Sequence, residues 1–315
     1  MNQQLDISVV VPLYNEEESL PELVAWIDRV AHTNNLSYEI IMVDDGSTDR
    51  SWEVVEELKA KYSTIRGISF MRNYGKSAAL YCGFDMARGE VVFTMDADLQ
   101  DSPDEIPEMR RMILEEGYDI VSGWKRKRHD PISKRWPSKF FNFTARLMSG
   151  IKLHDFNCGL KAYRRKVVKA IEVYGEMHRY IPILAKHAGF KRIGEKAVEH
   201  HERKYGKSKF GLERMLKGYL DHISVSFMSH FGRSPMYLFG GLGTLMFLFG
   251  FGAVVWIIVE KFVASRPLTN QPLFYLSLVA ILLGAMLFLA GFLGELINRR
   301  SVDRNKYLID KQIDE

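Results

Sequence analysis

Short apolar runs alternate with helically spaced apolar residues over the first hundred positions of the chain. The β-branched runs predict strands at Asp6–Leu13, Tyr38–Val43, Ile65–Phe70 and Glu90–Met95. The stretches between them predict helices at Glu16–Val30, from a cap at Thr48 or Asp49 to about Tyr62, and at Lys76–Ala87. Strand and helix alternating at this spacing indicate a parallel sheet covered by helices, with functional groups at the carboxyl ends of the strands.

The C-terminal part of the chain has two long stretches without a formal charge. Met236–Val259 has 24 residues and Leu273–Leu293 has 21. At about 1.5 Å per residue, each helix is longer than the ~30 Å hydrocarbon core of a bilayer, so both are predicted to span a membrane. Their many glycines let helix backbones approach closely in lipid and permit self-association. The alternative is a buried helical hairpin of a soluble protein.

The flanking charges predict the orientation of these spans. Arg233 precedes the first span, and basic residues follow the second at Arg299, Arg300, Arg304 and Lys306, whereas the connecting loop offers Lys261 and Arg266. By the positive-inside rule, both termini are expected to be cytoplasmic. The expected location is therefore the cell membrane, with the N-terminal part in the cytosol.

Apolar residues at helical spacing also precede the first span, from Leu212 to Phe231, with Arg214, Lys217 and Asp221 between them. This pattern predicts an amphipathic helix on anionic lipid, although an ordinary core-facing helix has a similar pattern. The predicted domain scheme is a catalytic domain at 1–210, the amphipathic region at 211–235, the two spans at 236–297 and a cytoplasmic tail at 298–315.

Charge divides the 315 residues unevenly, although the whole chain has a net charge of only +4. Residues 1–120 contain 24 acidic and 10 basic side chains, whereas residues 121–235 contain 26 basic and 9 acidic ones. This division favours one part that handles cations and another that handles phosphates or lipid head groups, rather than two merely solvated surfaces. The two cysteines, Cys82 and Cys158, exclude a disulfide framework and favour a reducing compartment.

Two common nucleotide-binding motifs are missing from the sequence. At the end of the first strand, where Gly-x-Gly-x-x-Gly would stand, the sequence reads Pro12-Leu13-Tyr14-Asn15-Glu16, which disfavours hydride chemistry with a dinucleotide. The P-loop pattern Gly-x-x-x-x-Gly-Lys-Ser/Thr is also absent.

The strongest local signal for chemistry is Asp96-Ala97-Asp98-Leu99-Gln100, directly after the fourth predicted strand. Side chains two apart on an extended segment point the same way, so Asp96, Asp98 and Gln100 are expected to converge. Two carboxylates and an amide oxygen suit Mg²⁺ or Mn²⁺ with positions left for phosphates, although acidic turns are common. Asp44 and Asp45 end the second strand, where they can bind a ribose or a base, or serve as turn and cap residues.

Five segments together resemble a known family. They are VVPLYNEE at 10–17, VDDGSTD at 43–49, MDADLQ at 95–100, DFNCGLKAYRR at 155–165 and RKYGKSK at 203–209. With the two spans, they resemble the family 2 glycosyltransferases that load a sugar onto a polyprenyl phosphate. The resemblance is strongest to the bacterial bactoprenol glucosyltransferases, which are related to the dolichyl-phosphate mannose synthases. It implies a GT-A fold, which is Rossmann-like with a mostly parallel sheet, a nucleotide-sugar donor and a divalent cation.

The resemblance also implies roles for individual residues. Asp96, Asp98 and Asp155 are implied to be catalytic, and Asp96, Asp98 and Gln100 to form the metal and diphosphate group. The residues implied to bind the nucleotide sugar are Pro12, Tyr14, Glu16, Val43, Asp44, Asp45, Asp96, Ala97, Lys125, Arg203 and Lys209. Lys125 stands where relatives often have an arginine. Because a phosphate monoester is already ionised at neutral pH, Asp155 is expected to orient a substrate rather than to act as a base.

A basic segment with interleaved aromatic residues lies at 124–143. It predicts an acceptor-phosphate site that includes Arg126, Arg128, Lys134 and Arg135, with the aromatic residues at the lipid interface. Basic and aromatic residues are also typical of nucleic-acid binding, which the two spans disfavour. A solvated charged loop is the remaining alternative.

The expected function is an inverting glycosyltransferase that moves one sugar, glucose from UDP-glucose as the first choice, onto undecaprenyl or another polyprenyl phosphate. Transfer from GDP-mannose and a non-catalytic subunit that binds lipid phosphate are the alternatives. A processive polysaccharide synthase is disfavoured, because those enzymes have Gln-x-x-Arg-Trp, and Ile132 precedes Arg135-Trp136 where the glutamine should stand.

Overall fold

The computed structural model describes residues 5–126, 142, 145–146, 149–175, 177–202, 204–205, 235–264, 271–300 and 309–313. The chain divides into two compact units. The first contains residues 1–222 and 305–315, and the second contains residues 223–304. Each unit has its own architecture: a sheet with helices in the first, and a pair of long helices in the second.

Four parallel strands form the middle of the sheet. They are β1 (Ile7–Leu13), β2 (Tyr38–Asp44), β3 (Ile65–Phe70) and β4 (Val91–Thr94). Strand β1 pairs with both β2 and β4, and β2 pairs with β3. Each strand lies within one residue of its predicted bounds, which confirms the parallel sheet.

The helices between these strands are α1 (Leu20–Thr33), α2 (Ser51–Lys61) and α3 (Lys76–Met86). Helix α1 was expected to begin at Glu16, and that bound is wrong. The amide and hydroxyl of Ser19 both donate to the carbonyl of Glu16, at 3.1 and 3.0 Å, so residues 16–19 form a turn. Helix α1 begins at Leu20, and Pro21 lies in its first turn, where a missing N–H costs nothing.

The residues of β1 alternate between two helical layers. Val9 and Val11 lie in a continuous core with apolar residues of α1, α2 and α4 (Ile106–Leu114). Val10 faces α3, where a Cβ added to Gly83 would lie 2.3 Å from its Cγ1. Glycine at 83 therefore lets α3 pack directly on the sheet, and the unit has three layers, helix on sheet on helix.

The sheet continues beyond β4 with strands β5 (Ile120–Lys125), β6 (Lys161–Arg164) and β7 (Ile193–Val198). Strand β6 is antiparallel to both β4 and β5, and β7 is parallel to β5. Short helices α5 (Arg165–Ala170) and α6 (Ile181–His187) follow β6. The antiparallel β6 brings the segment before residue 161 to the end of β4.

One further strand lies in the segment that we expected to be only a tail. Strand β8 (Ile309–Ile313) pairs antiparallel with β3, so the described strands have the order β7-β5-β6-β4-β1-β2-β3-β8. Its sequence, IDKQI, lacks a clear apolar alternation, which is common for an edge strand. Local pattern therefore gave no signal for it.

The described residues of the second unit form α7 (Pro235–Ala264) and α8 (Pro272–Arg300), which pack along each other. Each contains an apolar stretch long enough to cross a membrane, at Leu238–Val263 and Pro272–Gly294. These stretches include the predicted spans apart from Met236 and Tyr237. A Cβ added to Gly243 would lie 2.6 Å from the carbonyl oxygen of Gly284, so the two backbones touch where glycines meet. The predicted amphipathic helix lies outside the described residues.

Candidate active site

The carboxyl ends of β1, β2 and β4 lie at one edge of the sheet because these strands are parallel neighbours. Pro12 pairs with Val43 in the β1–β2 register, so the ends of these two strands are level. Val43 is fully buried in the sheet, whereas Pro12 lines a cavity at this edge. The acidic residues after β2 and β4 therefore share an edge, as the sequence predicts.

The loop after β1 is fastened to the loop after β2. The backbone N–H of Asn15 donates to Ser47 Oγ at 2.9 Å, and that of Glu16 donates to Ser51 Oγ at 2.8 Å. Asn15 has a φ of +54°, a left-handed conformation that asparagine tolerates better than most residues. This turn presents Tyr14 and Glu16, two of the predicted nucleotide ligands, at the edge.

Asp44 and Asp45 at the end of β2 are both buried, and their carboxylates accept hydrogen bonds from neighbouring loops and from β3. Asp44 accepts from the backbone N–H of Ser47 at 3.0 Å and from Ser69 Oγ at 2.8 Å. Asp45 accepts from the backbone N–H groups of Tyr74 and Gly75 at 2.7 and 3.0 Å. In this structure their carboxylates hold loops together, and their contact with a nucleotide stays a prediction.

Asp45 sits in a place that disfavours its charge. Burial raises the pKa of Asp45 to about 6, and the neighbouring charge of Asp44 acts in the same direction, while the two backbone donors oppose the rise. The carboxylate nevertheless fixes the start of α3, because its partners are the two residues that precede the helix. It thereby positions Lys76, the first residue of that helix.

Asp96, at the end of β4, is paired with an ammonium group rather than with loop donors. Its Oδ1 forms an ion pair with Lys76 Nζ, and about a third of each side chain is exposed. Burial raises the pKa of Asp96, but the charges of Lys76, Lys125 and Lys161 outweigh it and lower the pKa to about 2. The carboxylate is therefore ionised at neutral pH and already faces a cation.

The segment after Asp96 departs from the extended geometry that the sequence argument assumed. Leu99 has a φ of +60°, so the alternation of side chains ends before Gln100. Asp98 Oδ1 accepts from the backbone N–H of Gln100 at 3.3 Å. The Gln100 amide donates to the carbonyl of His201 at 3.4 Å. A turn therefore separates Gln100 from the two aspartates, and its role as a metal ligand stays a prediction.

A buried ion pair lies beneath this turn. Lys125 Nζ, at the end of β5, is 2.9 Å from Asp101 Oδ1, and the side chain of Asp101 is fully buried. Burial lowers the pKa of Lys125, but the charge and hydrogen bond of Asp101, together with the neighbouring Cys158 and Asp96, raise it more, so the lysine stays protonated. Lys125, predicted to contact the nucleotide, thus anchors the acidic turn to β5. Pairing over this sequence distance leaves no local signal, and Asp101 was missed.

The loop before β6 packs against the same carboxylates. A Cβ added to Gly159 would lie 2.5 Å from Asp96 Oδ2 and 2.9 Å from Asp101 Oδ2, so only glycine fits there. Thr94 Oγ1 donates to the carbonyl of Gly159 at 2.8 Å. Asp155, predicted to be catalytic, is 1% exposed, and its Oδ1 accepts from the backbone N–H of Asn157 at 3.0 Å. Its carboxylate thus shapes the loop that carries Gly159.

A small, partly open cavity lies beside Asp96. Its polar lining comes from β4, α3, the 155–159 loop, β6 and the short helical turn Met177–Arg179. The charged residues that line it are Lys76, Asp96, Lys161 and Arg179. The three lysine and arginine residues were not predicted, although Gly75-Lys76 at a helix start is a pattern typical of anion binding.

The predicted acceptor-phosphate residues are mostly outside the described part of the chain. Arg126 is described and exposed, with its guanidinium 5.9 Å from the ring centre of Trp124. Trp124 in turn stacks on His154 at 4.3 Å. The residues that lie outside the described ranges are Arg128, Lys134, Arg135, Arg203 and Lys209.

The acidic turn has the chemistry for a hard divalent cation. Within the described ranges, no three His, Cys, Asp or Glu side chains are grouped to enclose a metal ion. Asp96 offers its carboxylate beside the cavity, where a lysine ammonium already contacts it, and Asp98 follows two residues later in the same turn. Mg²⁺ and Mn²⁺ accept such sites because water and substrate phosphates complete their coordination. The aspartates of this turn therefore fit Mg²⁺ or Mn²⁺.

Comparison with known proteins agrees with this geometry. Residues 8–172 match the family described as glycosyl transferase family 2. A dodecaprenyl-phosphate galacturonate synthase of Rhizobium johnstonii is 35% identical over 305 residues, covering 94% of this chain and 89% of that protein. An undecaprenyl-phosphate 4-deoxy-4-formamido-L-arabinose transferase of Pseudomonas aeruginosa is 35% identical over 313 residues, covering 98% and 90%.

Solved structures share the fold at low sequence identity. A mannosyl-3-phosphoglycerate synthase of Rubrobacter xylanophilus has a TM-score of 0.57 at 18% identity, covering 72% of this chain and 75% of its own. A glucosyl-3-phosphoglycerate synthase of Mycobacterium tuberculosis in complex with Mn²⁺ and UDP-glucose has 0.55 at 20%, covering 70% and 79%. The predicted GT-A fold is confirmed, and this chain, with its apolar helix pair, is a glycosyltransferase that belongs to glycosyl transferase family 2.

Proposed function

We propose that this chain transfers one sugar from a UDP-sugar to a polyprenyl phosphate at the cytoplasmic face of a membrane. The observation that carries the proposal is the acidic turn at the end of β4, whose Asp96 meets Lys76 beside an open cavity. Relatives that match the chain over nearly its full length are named for transfer to dodecaprenyl or undecaprenyl phosphate. The two apolar helices would hold such an enzyme near a lipid acceptor.

The donor diphosphate would lie against the acidic turn. Asp96 and Asp98 would hold Mg²⁺ or Mn²⁺, which when bound supplies positive charge to the leaving diphosphate. Lys76 adds a second positive charge at the same place, because its ammonium already contacts Asp96. Arg203 and Lys209, which the family resemblance implies for the diphosphate, would add more. Charge that stabilises the leaving group favours the transition state over the ground state.

The acceptor needs little activation by the protein. The second pKa of a phosphate monoester is near 6, so the acceptor is mostly a dianion at neutral pH. One of its oxygens would bond to the anomeric carbon while the bond from that carbon to the diphosphate oxygen breaks, and the electron pair leaves with UDP. A single in-line displacement inverts the configuration. Asp155, which is buried and holds the 155–157 turn, would orient the loop rather than take a proton.

The identity of the sugar is open to a specific test. Glucose was our first expectation from the family resemblance, and the relatives' names give it no support, since they specify galacturonate and a formamido-arabinose. The likeness to the structure containing UDP-glucose is at 20% identity and concerns the fold alone. We therefore propose a UDP-sugar as the donor class and leave glucose as one member of the panel below.

The proposed arrangement in the membrane follows from the predicted domain scheme. Residues 1–210 would act in the cytosol, residues 211–235 would lie on the inner-membrane surface, residues 236–297 would span the bilayer twice, and residues 298–315 would return to the cytosol. Arg126, Arg128, Lys134 and Arg135 would then collect the acceptor phosphate near the lipid head groups. Proteolysis of sealed, oriented vesicles from either side tests the orientation.

The activity itself is tested with the full chain in detergent. Purified protein is incubated with undecaprenyl phosphate, Mn²⁺ and labelled UDP- or GDP-sugars, and the label in the lipid phase is counted. The panel contains the glucose, galactose, glucuronate, galacturonate and formamido-arabinose nucleotides and GDP-mannose. We expect transfer from at least one UDP-sugar and loss of transfer with EDTA.

A variant pair checks the acidic turn. Asp98→Asn should lower transfer by about 10²–10³-fold, because one carboxylate for the metal and diphosphate is lost. Asp85→Asn, on the exposed side of α3, is the matched control and should stay near the wild-type rate. Full activity of Asp98→Asn or full activity in EDTA would contradict the proposed metal site. Absence of transfer from every donor would contradict the proposed sugar transfer to a polyprenyl phosphate.

A further inference from the structure

The cavity beside Asp96 contains more positive charge than its own carboxylate neutralises. Lys76, Lys161 and Arg179 line it, and Asp96 is the only acidic residue among the described lining residues. Lys76 is the cation that pairs with Asp96. Lys161 and Arg179 are therefore available to something else.

Lys161 is an unusual residue for such a place because it is only 4% exposed. Its ammonium donates to the backbone carbonyl of Cys158, and no carboxylate of the described residues lies within ion-pair distance of it. Burial lowers the pKa of Lys161. The charges of Asp155 and Asp96, which lie farther away, raise it in part. A buried cation that has only a carbonyl partner is costly unless an anion joins it.

Arg179 and Tyr163 add donors to the same cavity. Arg179 is half-buried at the end of the short turn after α5, and its guanidinium pairs with no carboxylate in the part of the chain that the structure describes. The hydroxyl of Tyr163 is fully buried beside Thr94 and makes no hydrogen bond of normal geometry in that part of the chain. A buried hydroxyl without a partner costs free energy, and a bound acceptor oxygen removes that cost.

The neighbouring histidine leaves this positive balance unchanged. His178 lines the cavity, and its Nδ1 lies 3.1 Å from Ser77 Oγ. Burial and the charges of Lys76 and Arg179 lower the pKa of His178 well below its usual value, so the ring is neutral at pH 7. The donors are thus two cations, a phenol and a neutral ring, which is a set that suits an oxyanion.

We propose that this cavity binds a substrate oxyanion other than the donor diphosphate, through Arg179 and Lys161. The inference rests on the proposed function, in which the diphosphate has its own partners at the acidic turn and at Arg203 and Lys209. Two substrate groups have the required chemistry. One is the carboxylate of a uronic acid as the donor sugar, and the other is the phosphate of the lipid acceptor.

The experiment measures binding to the full chain in detergent with Mn²⁺ present. Two matched ligand pairs separate the sources: UDP-glucuronate against UDP-glucose, and farnesyl phosphate against farnesol. The variants are Arg179→Gln, Arg179→Lys and, as the control, Arg29→Gln, whose side chain is two-thirds exposed on α1. UDP alone is titrated against each protein.

We expect wild type to prefer the anionic member of one pair by about tenfold or more, the gain from one charge-assisted contact. Arg179→Gln should abolish that preference, Arg179→Lys should retain part of it, and Arg29→Gln should leave it unchanged. Affinity for UDP should be the same in all four proteins. The pair that shows the preference identifies the source of the oxyanion.

Several outcomes would overturn the inference. They are no preference in either pair, a preference that survives Arg179→Gln, and a loss of UDP affinity in Arg179→Gln as large as the loss for the anionic ligand. The last outcome would assign Arg179 to the diphosphate. If wild type does not bind UDP at all, the proposed function itself fails, which is a different result from UDP binding without an anion preference.

Discussion

Strands β2 and β4 lie on either side of β1 and end in the same kind of sequence, yet their carboxylates are used differently. Asp44 and Asp45 after β2 accept hydrogen bonds from serine hydroxyls and loop N–H groups, which are fixed parts of the fold. Asp96 after β4 meets the ammonium of Lys76 at the rim of a cavity. A cation at the end of a flexible side chain can be exchanged for another cation, whereas a backbone donor cannot.

The environment of each pair explains this difference. Asp44 and Asp45 are 2% and 5% exposed, so their charges have to be compensated within the protein. About a third of the Asp96 side chain is exposed, and Gly159 leaves room for its second oxygen. Two pairs of aspartates that follow neighbouring strands, Asp44-Asp45 and Asp96-Ala97-Asp98, therefore divide into a structural pair and a candidate ligand pair. Three changes test this division, beginning with the one of largest expected effect.

The first test uses the titration of Asp45. Its pKa is about 6 in the folded protein, above the usual value of 3.8, so its contribution to stability is full below pH 3.8 and is lost as the pH rises through 6. The free energy of unfolding should therefore fall by up to about 3 kcal/mol between pH 4 and pH 7 on account of this group. Asp45→Asn should remove that part of the slope.

Denaturant unfolding of the full chain in detergent, repeated across this pH range, measures the slope. Other groups also titrate there, so the informative quantity is the difference between wild type and Asp45→Asn. Asp85→Asn, an exposed aspartate on α3, should keep the wild-type slope. Equal slopes for wild type and Asp45→Asn would show that the buried position of Asp45 does not disfavour its charge.

The second test moves Asp96 without removing it. In Gly159→Ala the new Cβ would lie 2.5 Å from Asp96 Oδ2, so the carboxylate has to shift. We expect about 10–100-fold weaker Mn²⁺ binding in the presence of UDP, the range typical of a lost supporting contact at a metal site. Calorimetric titration measures it.

Gly241→Ala is the matched control for this change, because nothing lies within 4 Å of a Cβ added there. Its Mn²⁺ affinity should equal that of wild type. If Gly159→Ala also binds Mn²⁺ as tightly as wild type, Mn²⁺ binding does not depend on the observed position of Asp96. The assignment of Asp96 as a candidate metal ligand would then be contradicted.

The sequence predicted the scaffold of the site better than its contacts. Strands β1–β4 were predicted within one residue, because β-branched runs bounded by polar turns depend on local pattern. The glycine contact between α7 and α8 was likewise foreseeable from composition, since Gly243 and Gly284 meet backbone to backbone. Strand β8 was missed because an edge strand needs only one neighbour and buries little.

The sequence predicted which residue types form the site, but it did not predict which side chains pair with one another. Asp96 and Asp98 were identified from their spacing, but the positive φ of Leu99 moves Gln100 away from the alternation that the argument assumed. Lys125 was expected to contact the nucleotide, but in the structure its ammonium forms an ion pair with the buried Asp101. Such pairings join distant segments through the sheet order, which local sequence does not encode.

The smallest expected effect comes from removing one donor to the structural pair. Ser69→Ala deletes the hydroxyl that donates to Asp44 at 2.8 Å, in a buried position where water does not replace it. We expect about 1–2 kcal/mol lower stability, the cost of one hydrogen bond to a buried carboxylate, with Mn²⁺ affinity unchanged. Ser63→Ala, an exposed serine before β3, should change neither quantity. If Ser69→Ala instead weakens Mn²⁺ binding and leaves stability intact, then Asp44 belongs with Asp96 in the ligand pair, because its carboxylate would be tuned for binding rather than for holding the loops.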